Sequence, residues 1–210
     1  MTDEELHDDE WRSTRPYSIW RSPIWVYLTA ASLIVVVFNF WVSTWPTEDN
    51  ADTKPTTVAF ANDSGDYSLK YPSSWSRLDR EEISKFQGIY DFALRKSSPS
   101  AFLGVRLQER ASADVDLDKV ATALDRSLPR NFDRFRKLGE WRGSTTSGED
   151  ALIYDYSFAS PGADDTKIRE QLTVVMDDDS IIHVVTWAND SHFDEVKADF
   201  DRIVGTFELL

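Results

Sequence analysis

The three histidines are the first residues to weigh for chemistry, because an imidazole titrates near neutrality and can serve as general base, proton shuttle or metal ligand. His183 stands between Ile182 and Val184 in an apolar run. A base or ligand there needs partners in space, and no second histidine lies near it in sequence. It is expected to be a core histidine with a satisfied hydrogen bond. His192, between Ser191 and Phe193, falls in the first turn of a helix pattern, a surface position where the helix dipole mildly disfavours a cation. His7 belongs to an N-terminal tail expected to be disordered. Asp177, Asp178 and Asp179 offer oxygens to a calcium ion, but the spaced ligands and fixed glycine of a calcium loop are missing, so a solvated hairpin turn is expected. Ser74, Ser98 and Ser147 lie in turns without a G-x-S-x-G context, and no phosphate-binding glycine loop occurs. The sequence has no Cys, which removes disulfides, thiolate metal sites and lipoprotein attachment together. Trp75, Trp141 and Trp187 could form a recognition surface, but at strand positions they are expected to complete the core. No catalytic, cofactor-binding or metal residue is therefore assigned, and the chain is not expected to be an enzyme.

The elements that would position these residues are organised around residues 24–45, IWVYLTAASLIVVVFNFWVSTW, which carry no charge. At ~1.5 Å per residue a helix of this length crosses ~30 Å of hydrocarbon. Trp20, Trp25 and Tyr27 gather at one end and Phe40, Trp41 and Trp45 at the other, as side chains of a membrane interface do. A signal peptide has a shorter apolar region and a small-x-small exit, whereas this run leaves through Trp41 and Trp45. An uncleaved, single-pass anchor in the lipid bilayer is expected. Arg12, Arg15 and Arg21 precede the span and acids follow it, which puts residues 1–23 in the cytoplasm and the rest outside it. The whole chain has a net charge of −14, and the tail's six acids and three arginines account for −3 of it, leaving −11 beyond the span. Such a balance opposes binding to nucleic acid and to anionic lipid surfaces. It suits a soluble head, or one that docks on a basic partner.

Residues 46–65 read as a linker of Thr, Asp, Asn, Ala and Pro, in which residues 57–60 can pair as a strand. Residues 66–210 are the right length for one domain. Tyr67, Leu69 and Tyr71 alternate, as do Tyr90, Phe92 and Leu94, and then Leu103, Val105 and Leu107. Leu117, Val120, Leu124 and Leu128 share a helical face. Polar, Arg-rich sequence leads to Trp141, after which Leu152 to Phe158, Ile168 to Met176 and residues 181–187 read as three strands. The last of these is apolar on both faces and hence covered on both. A final helix opens at Ser191, with Asp194 as its reciprocal cap and Phe193, Val196, Phe200, Ile203 and Val204 buried. Hairpin connections and terminal helices give an α+β class: a mostly antiparallel sheet with helices on both faces.

YSLKYPSSW at 67–75 resembles the opening strand and turn of the PsbP-like family, extracytoplasmic domains related to the extrinsic P protein of photosystem II, in a fold shared with a nuclear-import Ran-binding factor. GEDA at 148–151 is similar to the Gly-x-Ala turn common there, and IVGTF at 203–207 to its closing helix. The resemblance implies an α/β/α sandwich and a protein that acts by binding a larger complex. No metal or partner-binding residue of the family carries over. The expected function is a membrane-tethered, non-catalytic accessory, assembly or stabilising subunit. It docks on an integral membrane protein complex, and by the family analogy a photosynthetic or respiratory electron-transfer complex. No cofactor, nucleic acid or small-molecule ligand is expected. The rival reading is an extracytoplasmic small-molecule or ion-binding sensor, or a hydrolase, with a pocket between sheet and helix. A His–carboxylate pair lining a deep pocket would favour the rival; a flat, aromatic-rich face would favour docking.

Overall fold

The computed structural model describes residues 56–62, 66–85, 90–110, 112, 114–160 and 166–210. The segment 24–45, its flanking Trp20, Trp25, Tyr27, Phe40, Trp41 and Trp45, and His7 lie outside these residues. No helix among the described residues is long and apolar enough to cross a membrane.

The described residues form ten strands, most of the longer ones with period-2 patterning, and two long helices with period-3.6 patterning. In chain order they are β1 (Thr57–Ala61), β2 (Tyr67–Pro72), β3 (Ser76–Arg77), α1 (Arg80–Ser84), β4 (Phe92–Lys96), β5 (Ala101–Glu109), α2 (Leu117–Asn131), β6 (Arg136–Ser144), β7 (Asp150–Ala159), β8 (Lys167–Met176), β9 (Ser180–Asn189), α3 (Phe193–Val204) and β10 (Glu208–Leu209). β3-β4-β5-β9-β8-β7-β6 form a seven-stranded sheet, and β1-β2-β10 a three-stranded one. Every pairing is antiparallel. The class is α+β, with α2 on one face of the large sheet and α3 with the small sheet on the other.

The central strand β9 shows why both faces must be covered. Ile181, Val185 and Trp187 point into the core beneath α2, and Ile182, Val184 and Ala188 into the core beneath α3. α2 starts where Asp116 accepts the Lys119 N–H at 2.7 Å and lays Val120, Leu124 and Leu128 on the sheet. β1 falls within 46–65 and pairs with β2; its Phe60 stacks on Phe92 at 4.1 Å. Gly148 turns β6 into β7 at φ +103°, a conformation that L side chains rarely adopt.

Four local features differ from the sequence reading, each for a physical reason. Tyr90 precedes β4 and does not alternate with Phe92: it packs beneath α2 against Phe102, while Phe92 faces α3. The Arg-rich stretch before and through Trp141 is β6, an edge strand whose two faces are largely exposed, so it lacks an apolar alternation. Ser191 does not cap α3: its hydroxyl donates to Asn189 Oδ1 at 2.8 Å, His192 takes the cap position, and Asp194 turns to Arg169 at 3.2 Å. The short α1 is set by an Asp79–Glu82 capping box that the strand reading passed over.

Candidate docking site

Sheet parity places one residue from each of four neighbouring strands in a row on the α3 face. Trp141 pairs with Ile153, Ile153 with Thr173, and Thr173 with Val184. α3 packs over β2, β5 and β9 and stops short of β6. The uncovered half of the sheet therefore forms a groove of about 270 Å³, with this row as its floor and Lys197, Phe200, Asp201 and Val204 of α3 as its wall. Gln171 and Thr186 join the floor, where the Thr186 hydroxyl donates to the Gln171 carbonyl at 3.2 Å.

One local device shapes the rim of the groove. Trp141, 42% exposed, lies over Gly139, where a Cβ would come within 2.7 Å of its ring. A side chain at 139 would lift the indole off its strand. Outside the groove's lining, Arg169 bridges sheet and helix. Its guanidinium grips buried Asp155 twice, at 3.1 and 2.7 Å, reaches Asp194 at 3.2 Å, and stacks over Phe193 at 4.5 Å. The charge in the groove wall is compensated, since Lys197 Nζ lies 2.7 Å from both Asp201 oxygens. An apolar floor with a few hydroxyl and amide groups, and an aromatic rim, is the chemistry of a contact surface.

The residues weighed for chemistry do not converge here. His183 is buried on β9 beneath α2, on the opposite side of the sheet, and burial followed by the charge of Arg106 pushes its pKa down to about 4. It is neutral at physiological pH, as a core histidine should be. His192 is exposed with its Nδ1 2.9 Å from Glu195 Oε1, beside a depression of about 410 Å³ that Ser98, Pro99 and Trp187 also line. Both side chains of that His–carboxylate pair are more than half exposed, so the pair is bathed in water. The Asp177–Asp179 turn presents its carbonyls to a cation already: Arg110 Nη1 lies 3.2 Å from the Asp177 oxygen and 3.4 Å from that of Asp178. Among the described residues no three His, Cys, Asp or Glu side chains are placed to hold a metal ion. Ser74, Ser98 and Ser147 are exposed, and the Ser147 hydroxyl donates to Glu149 at 2.6 Å, not to a base poised to activate it.

The tryptophans divide. Trp75 is buried with its Nε1–H donated to Asp199 at 3.2 Å, and Trp187 stacks on Phe102 at 5.2 Å. Both complete the core as expected; Trp141 does not, because β6 pairs with β7 on one side and with no strand among the described residues on the other. Sequence reasoning missed Glu170. It is in phase with Ile168 and Leu172 on β8, and that parity alone sends it into the core at 1% exposure. Tyr156 donates its hydroxyl to Glu170 Oε1, while Oε2 has no hydrogen-bond partner among the described residues. Burial raises the carboxyl pKa to about 7, despite that hydrogen bond.

No protein-family model matches the sequence, and no curated protein does either. Solved structures share the fold. Cyanobacterial PsbP (CyanoP) from Synechocystis sp. PCC 6803 aligns with TM-score 0.55 and 15% identity over 78% of this chain and 98% of its own. LpqN of Mycobacterium tuberculosis, described as involved in cell envelope biogenesis, aligns with TM-score 0.54 and 12% identity over 75% and 92%. The Saccharomyces cerevisiae Ran-binding protein Mog1p aligns more loosely, with TM-score 0.48 and 10% identity over 74% and 96%. The likeness at these identities is one of fold, and the fold is PsbP-like.

Proposed function

We propose that this chain is a single-pass membrane protein whose extracytoplasmic, PsbP-like head docks on an integral membrane protein complex as a non-catalytic accessory, assembly or stabilising subunit. The observation that carries this reading is the groove beside α3, with its apolar floor and the Trp141 rim. The uncharged span 24–45 supports the tether, and a tether raises the effective concentration of the head near partners in the same bilayer. The fold shared with CyanoP and with LpqN, an envelope-biogenesis protein, supports an envelope-side role. Electron-transfer complexes of photosynthesis or respiration are one class of partner that this likeness brings forward. The sensor and hydrolase reading asked for a His–carboxylate pair in a deep pocket; His192 and Glu195, which pair among the described residues, are open to solvent.

The tether is tested by topology. In a chain without Cys, single introduced cysteines report sidedness cleanly. An impermeant maleimide on intact cells, or on spheroplasts where there is an outer membrane, is expected to label Thr53→Cys and spare Ser13→Cys. The reverse pattern would place the head in the cytoplasm and remove the envelope-side function.

A further inference from the structure

β6 pairs with β7 along one edge and with no strand among the described residues along the other. Natural sheets blunt such edges with bulges, prolines or charges, because an open row of backbone donors and acceptors invites another strand. The irregularity of β6 lies between Lys137 and Gly139, and from Gly139 to Ser144 its register with β7 runs unbroken. No proline interrupts this stretch, GEWRGS, and Trp141 stands 42% exposed within it. Only charges guard the regular part of the edge, and their order suits one partner.

The side chains sort by parity. Glu140 and Arg142 pair with Tyr154 and Leu152 on the α2 side of the sheet, and Gly139, Trp141 and Gly143 pair with Asp155, Ile153 and Ala151 on the α3 side. A strand related to its own copy by a two-fold axis across the sheet runs antiparallel to it. Residues equidistant from the axis then stand opposite each other on the same face, so the axis passes through a residue. At Glu140 or at Arg142 it would set like charges directly opposite, which is destabilising. At Gly139 it would draw the irregularity of both copies into the ladder, and at Gly143 it would fall one residue from the end of the strand. At Trp141 it sets Glu140 opposite Arg142 of the second copy, and Arg142 opposite Glu140.

The same register puts the two Trp141 side chains opposite each other. Each indole already lies over its own Gly139, and Gly143 of the copy, standing opposite Gly139, brings no side chain against it. Aromatic and opposite-charge cross-strand pairs both stabilise a sheet. Nor does the acidity of the chain oppose the contact locally. β6 and the α2 acids bonded to it hold Arg136, Lys137 and Arg142 against Glu140, Asp118 and Asp125, three of each sign. Exposed acids farther away are screened over about 8 Å at physiological ionic strength.

We propose that a second copy of this chain pairs with the open edge of β6, antiparallel about a two-fold axis at Trp141, with Glu140 and Arg142 exchanging ion pairs across it. The pairing extends the seven-stranded sheet into that of the copy. It also carries the row Trp141, Ile153, Thr173, Val184 across the axis, so that the two grooves become one continuous surface. A strand pairing this short is a small interface, and copies anchored in one membrane plane associate through it more readily than copies in solution. Self-pairing at β6 goes beyond the docking function and does not depend on it.

The test uses the full-length chain in detergent micelles, labelled with a donor or an acceptor dye at Thr53→Cys. Energy transfer is expected to rise with protein concentration up to about 1 mM, the range that a shared tether supplies. Over the same range the β6 amides that do not bond to β7 should become protected from hydrogen exchange. Glu140→Arg alone sets Arg against Arg, and Arg142→Glu alone sets Glu against Glu, so each should weaken association about tenfold or more. Mixed one to one, the two variants restore opposite charges at both positions, and transfer between them should return to the wild-type level. A Lys70→Glu, Arg202→Glu control, exposed elsewhere on the domain, should associate as the wild type does. Wild-type chains that show no transfer at any of these concentrations overturn the proposal. Transfer that both single variants keep, or that arises without protection of β6, puts the contact in the span or on another face and overturns it too. Variants that weaken association singly and do not recover when mixed overturn the register at Trp141. Each of these contrary results leaves the docking function standing.

Discussion

Trp75→Ala is expected to destabilise the domain by about 3–5 kcal/mol, the cost of emptying a large aromatic site in a packed core. The indole is 2% exposed, packs against Phe200 with ring centroids 5.6 Å apart, and donates Nε1–H to Asp199. Asp199 also takes Lys96 Nζ at 2.8 Å, so this one side chain ties the β2–β3 connection to α3 and, through Asp199, to β4. Burial disfavours the Asp199 carboxylate, but the bonds from Lys96 and Trp75 outweigh it and hold its pKa below the ordinary value. Thermal melting of the full chain in detergent should show a fall of roughly 10 °C, at about 2–4 °C per kcal/mol for a domain of this size. Trp141→Ala, on the exposed edge, should change stability by no more than about 0.5 kcal/mol. Similar losses for the two variants would mean that the assignment of one tryptophan to the core and the other to the surface is wrong.

The second large effect is a pH profile that is flat because two slopes cancel. Glu170 has a pKa raised from 4.5 to about 7 by burial, so folding favours its protonated form. Its stabilising contribution is full below pH 4.5 and is lost as pH rises through about 7. His183 is lowered from 6.5 to about 4, so folding favours its neutral form. Its contribution is full above pH 6.5 and is lost as pH falls through about 4. Each is worth about 3 kcal/mol, taking ~1.4 kcal/mol per unit of pKa. The two tyrosines facing Glu170 stay protonated across the range. Tyr156 and Tyr90 beside Glu170 are raised above their ordinary values, and Arg106 stands opposite His183. Between pH 4.5 and 6.5 one slope offsets the other.

Single substitutions should expose the hidden slopes. Glu170→Gln should leave stability that rises with pH between about 4 and 6.5, and His183→Gln stability that falls with pH between 4.5 and about 7. Denaturant midpoints measured across this range check both signs. Asp125, Glu149 and Asp199, whose pKa values are lowered, steepen the acid limb in all three proteins alike. Identical profiles for the wild type and both variants would contradict the burial of these two groups.

The parts of this fold legible in the sequence are those where one period dominates. β2, β7, β8 and β9 and the helices α2 and α3 each bury a face or both faces, and burial writes a pattern. β6 buries neither face, so its nine residues carry no strand signal, and Trp141 looked like a core residue. Glu170 was legible by parity with Ile168 and Leu172, but a charged residue in an apolar phase is easily read as a break. The groove was not legible at all. Its floor is a row drawn from four strands, and that row exists only through registers that the linear sequence does not display.

The central claim is that the span holds this protein in place and the folded head does the recognising. The direct measurement exchanges each part in turn and reads co-purification with membrane partners after mild detergent extraction. In the first exchange residues 24–45 are replaced by an unrelated span of equal length and the same flanking charges. In the second, residues 57–210, from the start of β1, are replaced by an unrelated folded domain. The account predicts that association survives the first exchange and falls sharply in the second. Association lost with the span and kept without the head would contradict it, and would make the transmembrane segment the binding element.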